Sequence, residues 1–331
     1  VSRKFSQAAE SYDANALVQR RAVELCQDRL LRILDTVPRG EVLEIGCGTG
    51  LLSERLLQIL PDASVTLTDP SIAMLNFCRR RLTSVCPKGQ LRPPLSFECL
   101  TAEDLCSSER YTEKRYALIA SSFALQWVLN LDETIDSLLN LLLPGGVFLF
   151  CVPARDSFPE WKAACHESKI AFSGNQLPTP DDFMHLVQDQ YSTDFVQSEV
   201  VMVYDSALHF FRTLRLIGAT ARLGETSMLT SGGQGLIDDS DVVDSGMIDR
   251  DVIDHDVIGS DVIDGSRAAI GNHVVTSERQ SPGARSTNGI RSLLRAWQPD
   301  ENGEVKVTYR ILCGIIRKSQ TRGLEYAKLA P

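Results

Sequence analysis

The chain lacks a C-x-x-C pair, a long apolar run, an excess of positive charge and any pair of histidines at metal-ligand spacing, and each lack excludes a class of function. Its nine cysteines (26, 47, 78, 86, 99, 106, 151, 165 and 313) are odd in number and follow no signal-peptide pattern. They are expected to be reduced, mostly buried thiols of a cytoplasmic protein. The longest apolar stretch, Leu138 to Val152, is cut by Asn140 and by Pro144-Gly145-Gly146. No membrane span or targeting segment is therefore expected, although a chain that begins at Val1 reads as trimmed. The five histidines (166, 185, 209, 255 and 273) are scattered, and no metal site is expected. A formal charge of −9 over 331 residues argues against a domain that grips nucleic acid.

The charge that is present is unevenly spread. Residues 225–288 hold twelve Asp and Glu against four Arg, a balance of −8 that leaves −1 for the rest, so a basic patch elsewhere stays open. Inside that segment, residues 236–265 repeat with period five (LIDDS, DVVDS, GMIDR, DVIDH, DVIGS, DVIDG) between Ser/Gly-rich flanks. A β-solenoid or an Asp-rich ion-binding array would share the period. Asp and Gly form regular structure poorly and no aromatic supplies a core, so an unstructured acidic insertion is expected.

With 331 residues, 43% of them apolar, the chain is long enough for one large domain or two small ones. Leu17, Val18, Ala22, Leu25, Leu30, Leu31 and Leu34 recur at helical spacing, which predicts one or two amphipathic cap helices within residues 1–37. Strands are predicted at 41–45, 64–68, 96–99, 116–121 and 146–152, alternating with helices such as 51–60 and 71–82. This α/β alternation gives a parallel sheet covered on both faces, a core over 38–152. A helical lid is expected over 153–199, around Trp161 and the helix start Pro178-Thr179-Pro180-Asp181-Asp182. Strands at 200–205 and 305–316 complete the sheet within 200–224 and 289–320.

Chemistry concentrates in Val42-Leu43-Glu44-Ile45-Gly46-Cys47-Gly48-Thr49-Gly50: a buried strand, an acid near its end, and three alternate glycines leading into a helix. Glycine suits a sharp turn that a ligand approaches closely. The G-x-G-x-G spacing differs from the dinucleotide fingerprint G-x-G-x-x-G and favours a ligand without phosphate. Asp69 closes the second strand, where a carboxylate accepts both hydroxyls of a ribose.

With these residues the sequence resembles the class I S-adenosylmethionine-dependent methyltransferases over residues 41–152 and the terminal strand. The resemblance implies a Rossmann-like seven-stranded sheet with its last strand antiparallel. It implies a cofactor site for S-adenosylmethionine built from Gln19, Glu44, Gly46, Cys47, Gly48, Gly50, Asp69, Pro70, Met74, Thr101, Ala102 and Ser121, with Met74 near the adenine. Leu100-Thr101-Ala102-Glu103-Asp104-Leu105 matches the family's adenine-binding stretch, except that Thr101 stands where an Asp is usual.

Phe5-Ser6-Gln7-Ala8-Ala9-Glu10-Ser11-Tyr12-Asp13, Val18-Gln19-Arg20, Ser121-Ser122-Phe123-Ala124-Leu125-Gln126-Trp127 and Ile217-Gly218-Ala219-Thr220 are similar, more narrowly, to the malonyl-[acyl-carrier protein] O-methyltransferases that open biotin synthesis. The match resumes at the helix Ile290 to Trp297 once the acidic segment is skipped. This resemblance implies methyl transfer from S-adenosylmethionine to the free carboxylate of a malonyl thioester on acyl-carrier protein, or on coenzyme A. That carboxylate is already ionised at pH 7, so no general base is required and positioning does the work. Tyr12, Phe123, Gln126 and Trp127 are the implied acceptor-positioning residues. An acidic carrier calls for a basic docking surface, for which Arg79-Arg80-Arg81, Arg155, Arg212, Arg215 and Arg222 are candidates. Two alternatives stay open: a methyltransferase for another small acid or quinone-like acceptor, and a non-methylating assembly factor on the same fold.

Overall fold

The computed structural model describes residues 1–85, 94–185, 187, 189–220 and 291–320. Seven strands form one sheet: β1 (Glu41–Ile45), β2 (Val65–Thr68), β3 (Leu95–Glu98), β4 (Tyr116–Ser122), β5 (Leu142–Pro153), β6 (Tyr191–Tyr204) and β7 (Val305–Lys318). Their order is β3-β2-β1-β4-β5-β7-β6, with the first five parallel and β7 antiparallel to both of its neighbours. This is the expected class I sheet with its last strand reversed.

Strand alternation sorts the core into two layers. Val42, Leu118, Val147, Leu149 and Ile315 point to the face covered by α3 (Leu17–Ile33), α4 (Leu51–Ile59) and α5 (Ile72–Val85). Leu43, Ile119, Phe148 and Phe150 point to the other face, against Leu105 of α6 (Ala102–Ser107), Tyr111 of α7 (Glu109–Thr112) and Ile135 and Leu138 of α8 (Leu131–Asn140). Residues buried on both faces explain why β1 and β4 read as near-continuous apolar runs.

The amino-terminal cap is three helices rather than one or two: α1 (Ser2–Ala8), α2 (Tyr12–Asn15) and α3. Ser11 interrupts the first two, its hydroxyl bonding Ala8 O at 3.2 Å and Leu216 O at 2.7 Å. Leu216 ends α11 (Ala207–Leu216), so the break anchors the cap to a helix about 200 residues further along the chain. Gly218, the next glycine, sits against Phe5 so closely that a Cβ there would lie 3.0 Å from Phe5 Cα.

The helical segment expected over 153–199 is shorter. It holds α9 (Pro159–Glu167) and α10 (Asp181–Met184), and β6 already begins at Tyr191, so residues 191–199 belong to the sheet. Ser192, Thr193, Asp194, Gln197 and Glu199 give this edge strand little apolar alternation, and its register is set by pairing along the whole of β7. Trp161 packs among Phe158, Phe172, Phe210 and Phe211. Residues 291–296 are helical, as expected. Arg222 and the 225–288 insertion lie outside the described residues. Among the described residues, no helix is long and apolar enough to cross a membrane.

Candidate active site

The glycine turn, Asp69 and Phe123 follow the carboxyl ends of β1, β2 and β4, the end at which ligands bind in open α/β sheets. Gly46, Gly48 and Gly50 all have left-handed backbones (φ 66°, 54° and 90°). They differ in surroundings: a Cβ on Gly46 would lie 2.2 Å from Ala124 Cβ, whereas one on Gly48 would meet nothing within 4 Å. Gly46 is therefore required by packing, and Gly48 leaves an open cradle into which a ligand can descend.

Asp69 is held under that cradle. Gly48 N donates to its Oδ2 at 2.9 Å and Ser71 N to its Oδ1 at 2.8 Å. Each oxygen keeps a free lone pair, the acceptor pair that two vicinal hydroxyls need. Burial raises its pKa to about 6, against the lowering effect of those two amides. Glu44 lies deeper, only 1% exposed, with Oε2 lacking any hydrogen-bond partner. Desolvation raises its pKa to about 8, so it is predominantly protonated at neutral pH.

The cap clasps the turn. Thr49 Oγ1 donates to Asp13 Oδ1 at 2.6 Å, and Arg81 pairs with Asp13 while donating to Thr49 O at 2.9 Å and Glu54 Oε2 at 3.3 Å. This brings half-buried Tyr12 near Asp69. Burial, with Asp69 and Asp13 nearby, pushes the Tyr12 phenol well above its ordinary pKa, so it remains a neutral donor. Ser6 and Ser71 hydroxyls meet at 2.8 Å, and Ser2 Oγ donates to Pro70 O at 2.9 Å, so α1 rests on the loop after β2. Gln19 is buried in α3.

At the end of β4, Phe123 has φ 55°, a strained conformation for a bulky side chain. Its carbonyl accepts from Gln126 Nε2 at 2.8 Å, while Gln126 Oε1 is buried without a partner. Trp127 meets Phe5 edge-to-face at 5.4 Å, joining this turn to the cap. Ser121 is fully buried, its hydroxyl donating to Ile45 O at 3.1 Å. Its neighbour Ser122, on the opposite face, has the partnerless buried hydroxyl.

Thr101 caps α6: its hydroxyl accepts from Asp104 N at 3.0 Å, and its amide donates to Asp104 Oδ2 at 3.3 Å. That reciprocal pair explains Thr here as a helix cap, and Ala102 follows it, buried. Met74 is 1% exposed, with its amide on Ser71 Oγ at 3.2 Å. The neighbouring Cys78 thiol, together with burial, raises the Cys47 thiol well above its ordinary range, which suits a spacer rather than a nucleophile.

The basic candidates separate. Arg81 is turned inward by the clasp, while Arg79 and Arg80 lie over the rings of Phe97 and Phe77. Arg155 pairs with Asp182 at 3.3 Å. Arg212 is half-buried and Arg215 exposed on α11. The partnership of Asp13, Thr49 and Glu54 with Arg81 has no signal in the sequence, and Ser122 has only its place one residue after Ser121 in a strand.

A methyltransferase-domain family model matches residues 18–190, more than half of the chain. The malonyl-[acyl-carrier protein] O-methyltransferase 2 of Ilyobacter polytropus is 29% identical over 235 residues, covering 70% of this chain and 84% of that one. The biotin biosynthesis bifunctional protein BioCD of Bordetella avium is 32% identical over 234 residues, 70% of this chain but 46% of that longer protein. A solved structure of a Bacillus halodurans protein described as a putative methyltransferase superposes with TM-score 0.50 at 11% identity, covering 88% of this chain and 98% of that one, which is a likeness of fold. Sheet order, glycine turn and family match agree, and the chain belongs to the methyltransferase-domain family.

Proposed function

We propose that the protein methylates the free carboxylate of a malonyl thioester on acyl-carrier protein, with S-adenosylmethionine as donor. The single observation that carries the donor assignment is the open cradle at Gly48 set beside Asp69, whose two oxygens each retain a lone pair. The residues fit that ligand: the cradle admits its chain without a phosphate-binding turn, and Asp69 suits its ribose. Glu44, Gly46, Cys47, Gly50, Pro70, Met74, Thr101 and Ala102 complete the proposed pocket, with Gln19 and Ser121 behind it. When bound, S-adenosylmethionine supplies an electrophilic methyl group that the ionised carboxylate accepts as an ester, leaving S-adenosylhomocysteine.

No proton has to be removed, so the residues' task is placement and exclusion of water. Tyr12 stays protonated and donates to the acceptor carboxylate. Gln126, Trp127 and Phe123 frame the acceptor, and the Phe5–Trp127 contact closes the cap against bulk water. Arg155, Arg212 and Arg215 are the proposed docking residues for the acidic carrier, with Arg222 a candidate from the sequence alone. The curated relatives' names support this acceptor. Incubation with labelled donor should put label on malonyl-carrier protein in a form released by mild alkali, as an ester is. Alkali-stable label, or equal labelling of acetyl-carrier protein, would refute the assignment.

A further inference from the structure

Outside the cleft, three thiols converge from three elements: Cys26 from α3, Cys151 from β5 and Cys313 from β7. Cys151 and Cys313 are directly opposite in the antiparallel β5–β7 pair, so the pleat sends both side chains to one face of the sheet. That face is the one α3 covers, and Cys26 meets them from above. The three sulfurs lie within 4.8 Å of one another, all are buried, and none is in a disulfide. Sulfurs each about 2.3 Å from a shared centre sit about 4 Å apart, so the trio is already near that spacing.

The surroundings decide what such a site would take. Ala22, Leu30, Val147, Leu149, Ile311 and Ile315 belong to the same apolar cluster. Among the described residues no imidazole or carboxylate joins the three sulfurs as a fourth ligand, which disfavours the four-coordinate arrangement of structural zinc. Arg29, three residues beyond Cys26, is paired with Asp194 at 2.8 Å, so this cation near Cys313 brings its own counter-ion. An apolar, charge-balanced site with three soft donors fits a centre that becomes neutral on binding three thiolates.

We propose that Cys26, Cys151 and Cys313 form a three-sulfur site for a soft thiophilic ion, with trivalent arsenic the best match in charge. With arsenite, As(OH)3, the three As–O bonds break and each hydroxide leaves as water with the proton of one thiol. Three As–S bonds form without change of oxidation state, and the product is neutral. The bound centre ties cap helix α3 to β5 and β7 and should stabilise the folded chain. This site is independent of the methyl-transfer reading.

The test is prolonged incubation of the full reduced chain with arsenite, followed by desalting, metal analysis and arsenic-edge X-ray absorption. One arsenic per chain with three sulfur neighbours, a melting temperature raised by several degrees, and protection of these three cysteines from alkylation are expected. Cys26→Ala should abolish the three-sulfur signature, whereas Cys165→Ala, at a buried cysteine outside the trio, should keep it. Should Cys26→Ala fail to fold, the absorption spectrum and alkylation map of the unmutated chain decide alone. Absence of retained arsenic, oxygen or only two sulfurs around it, or undiminished three-sulfur binding by Cys26→Ala would overturn the proposal.

Discussion

Thr49 Oγ1 donates to Asp13 Oδ1 at 2.6 Å, so the glycine turn and the cap helix that carries Tyr12 are one hydrogen-bonded unit. Arg81 completes it by binding Asp13, Glu54 and the Thr49 carbonyl together. Asp13, next to Tyr12 in α2, is the residue through which these bonds reach the helix.

Arg81→Gln should therefore weaken S-adenosylmethionine binding about three- to tenfold while leaving the sheet folded. A part-buried charged pair with added hydrogen bonds contributes on the order of 1 kcal/mol, with allowance for its partial exposure. A double-mutant cycle with Asp13→Asn, read by isothermal titration, should show coupling of that size. Fully additive effects would mean the two residues act separately.

Gly48→Ala isolates the cradle. Its Cβ would meet no protein atom within 4 Å but would project from a φ of 54° into the proposed ligand space. Melting temperature should drop by a few degrees for the left-handed backbone, about 1 kcal/mol, while cofactor affinity should fall about a hundredfold. Equal affinity of variant and parent would move the ligand elsewhere.

Asp69 accepts from two hydroxyls with both oxygens only when ionised, because protonation turns one of them into a donor. With a pKa raised to about 6, S-adenosylmethionine affinity should be flat above pH 7 and decline below pH 6. Titration across pH 5–8 should show this decline in the parent.

Glu44 gives a stability signature of opposite convenience. Its folded pKa of about 8 lies above the ordinary 4.5, so the folded chain holds the extra proton between those values. Stability is then fully present below about pH 4.5 and is lost as pH rises toward 8, as far as this group is concerned. Glu44→Gln should flatten that slope and raise the melting temperature at pH 8. A steeper fall in the variant would contradict a desolvated, protonated Glu44.

The glycine turn, Glu44 and Asp69 are legible in the sequence because one strand-turn-helix unit and the next strand fix them locally. Arg81 is not: Arg79-Arg80-Arg81 reads as a charged helix face, and only the register of α5 turns the third toward Thr49. Ser121 and Ser122 are legible as a pair, but which of them faces a partner depends on the pairing of β4 with β1. The start of β6 at Tyr191 is hidden because an exposed edge strand needs no apolar alternation. Cys26, Cys151 and Cys313 are distant in sequence and meet only through the β5–β7 register and the position of α3.

Tyr12→Phe should lower kcat/KM for the malonyl substrate about ten- to a hundredfold, with S-adenosylmethionine affinity within about twofold of the parent, because loss of a hydrogen bond to a charged group costs about 1.5–3 kcal/mol. An unchanged reaction would leave Tyr12 as a packing residue of the cap.

The most direct test is a single-turnover assay with labelled S-adenosylmethionine and malonyl-carrier protein, beside acetyl-carrier protein and the Asp69→Ala variant. Label is expected on the malonyl carrier alone, lost in Asp69→Ala together with donor binding. Donor binding without transfer would contradict the acceptor assignment, and full transfer by Asp69→Ala would contradict the site itself.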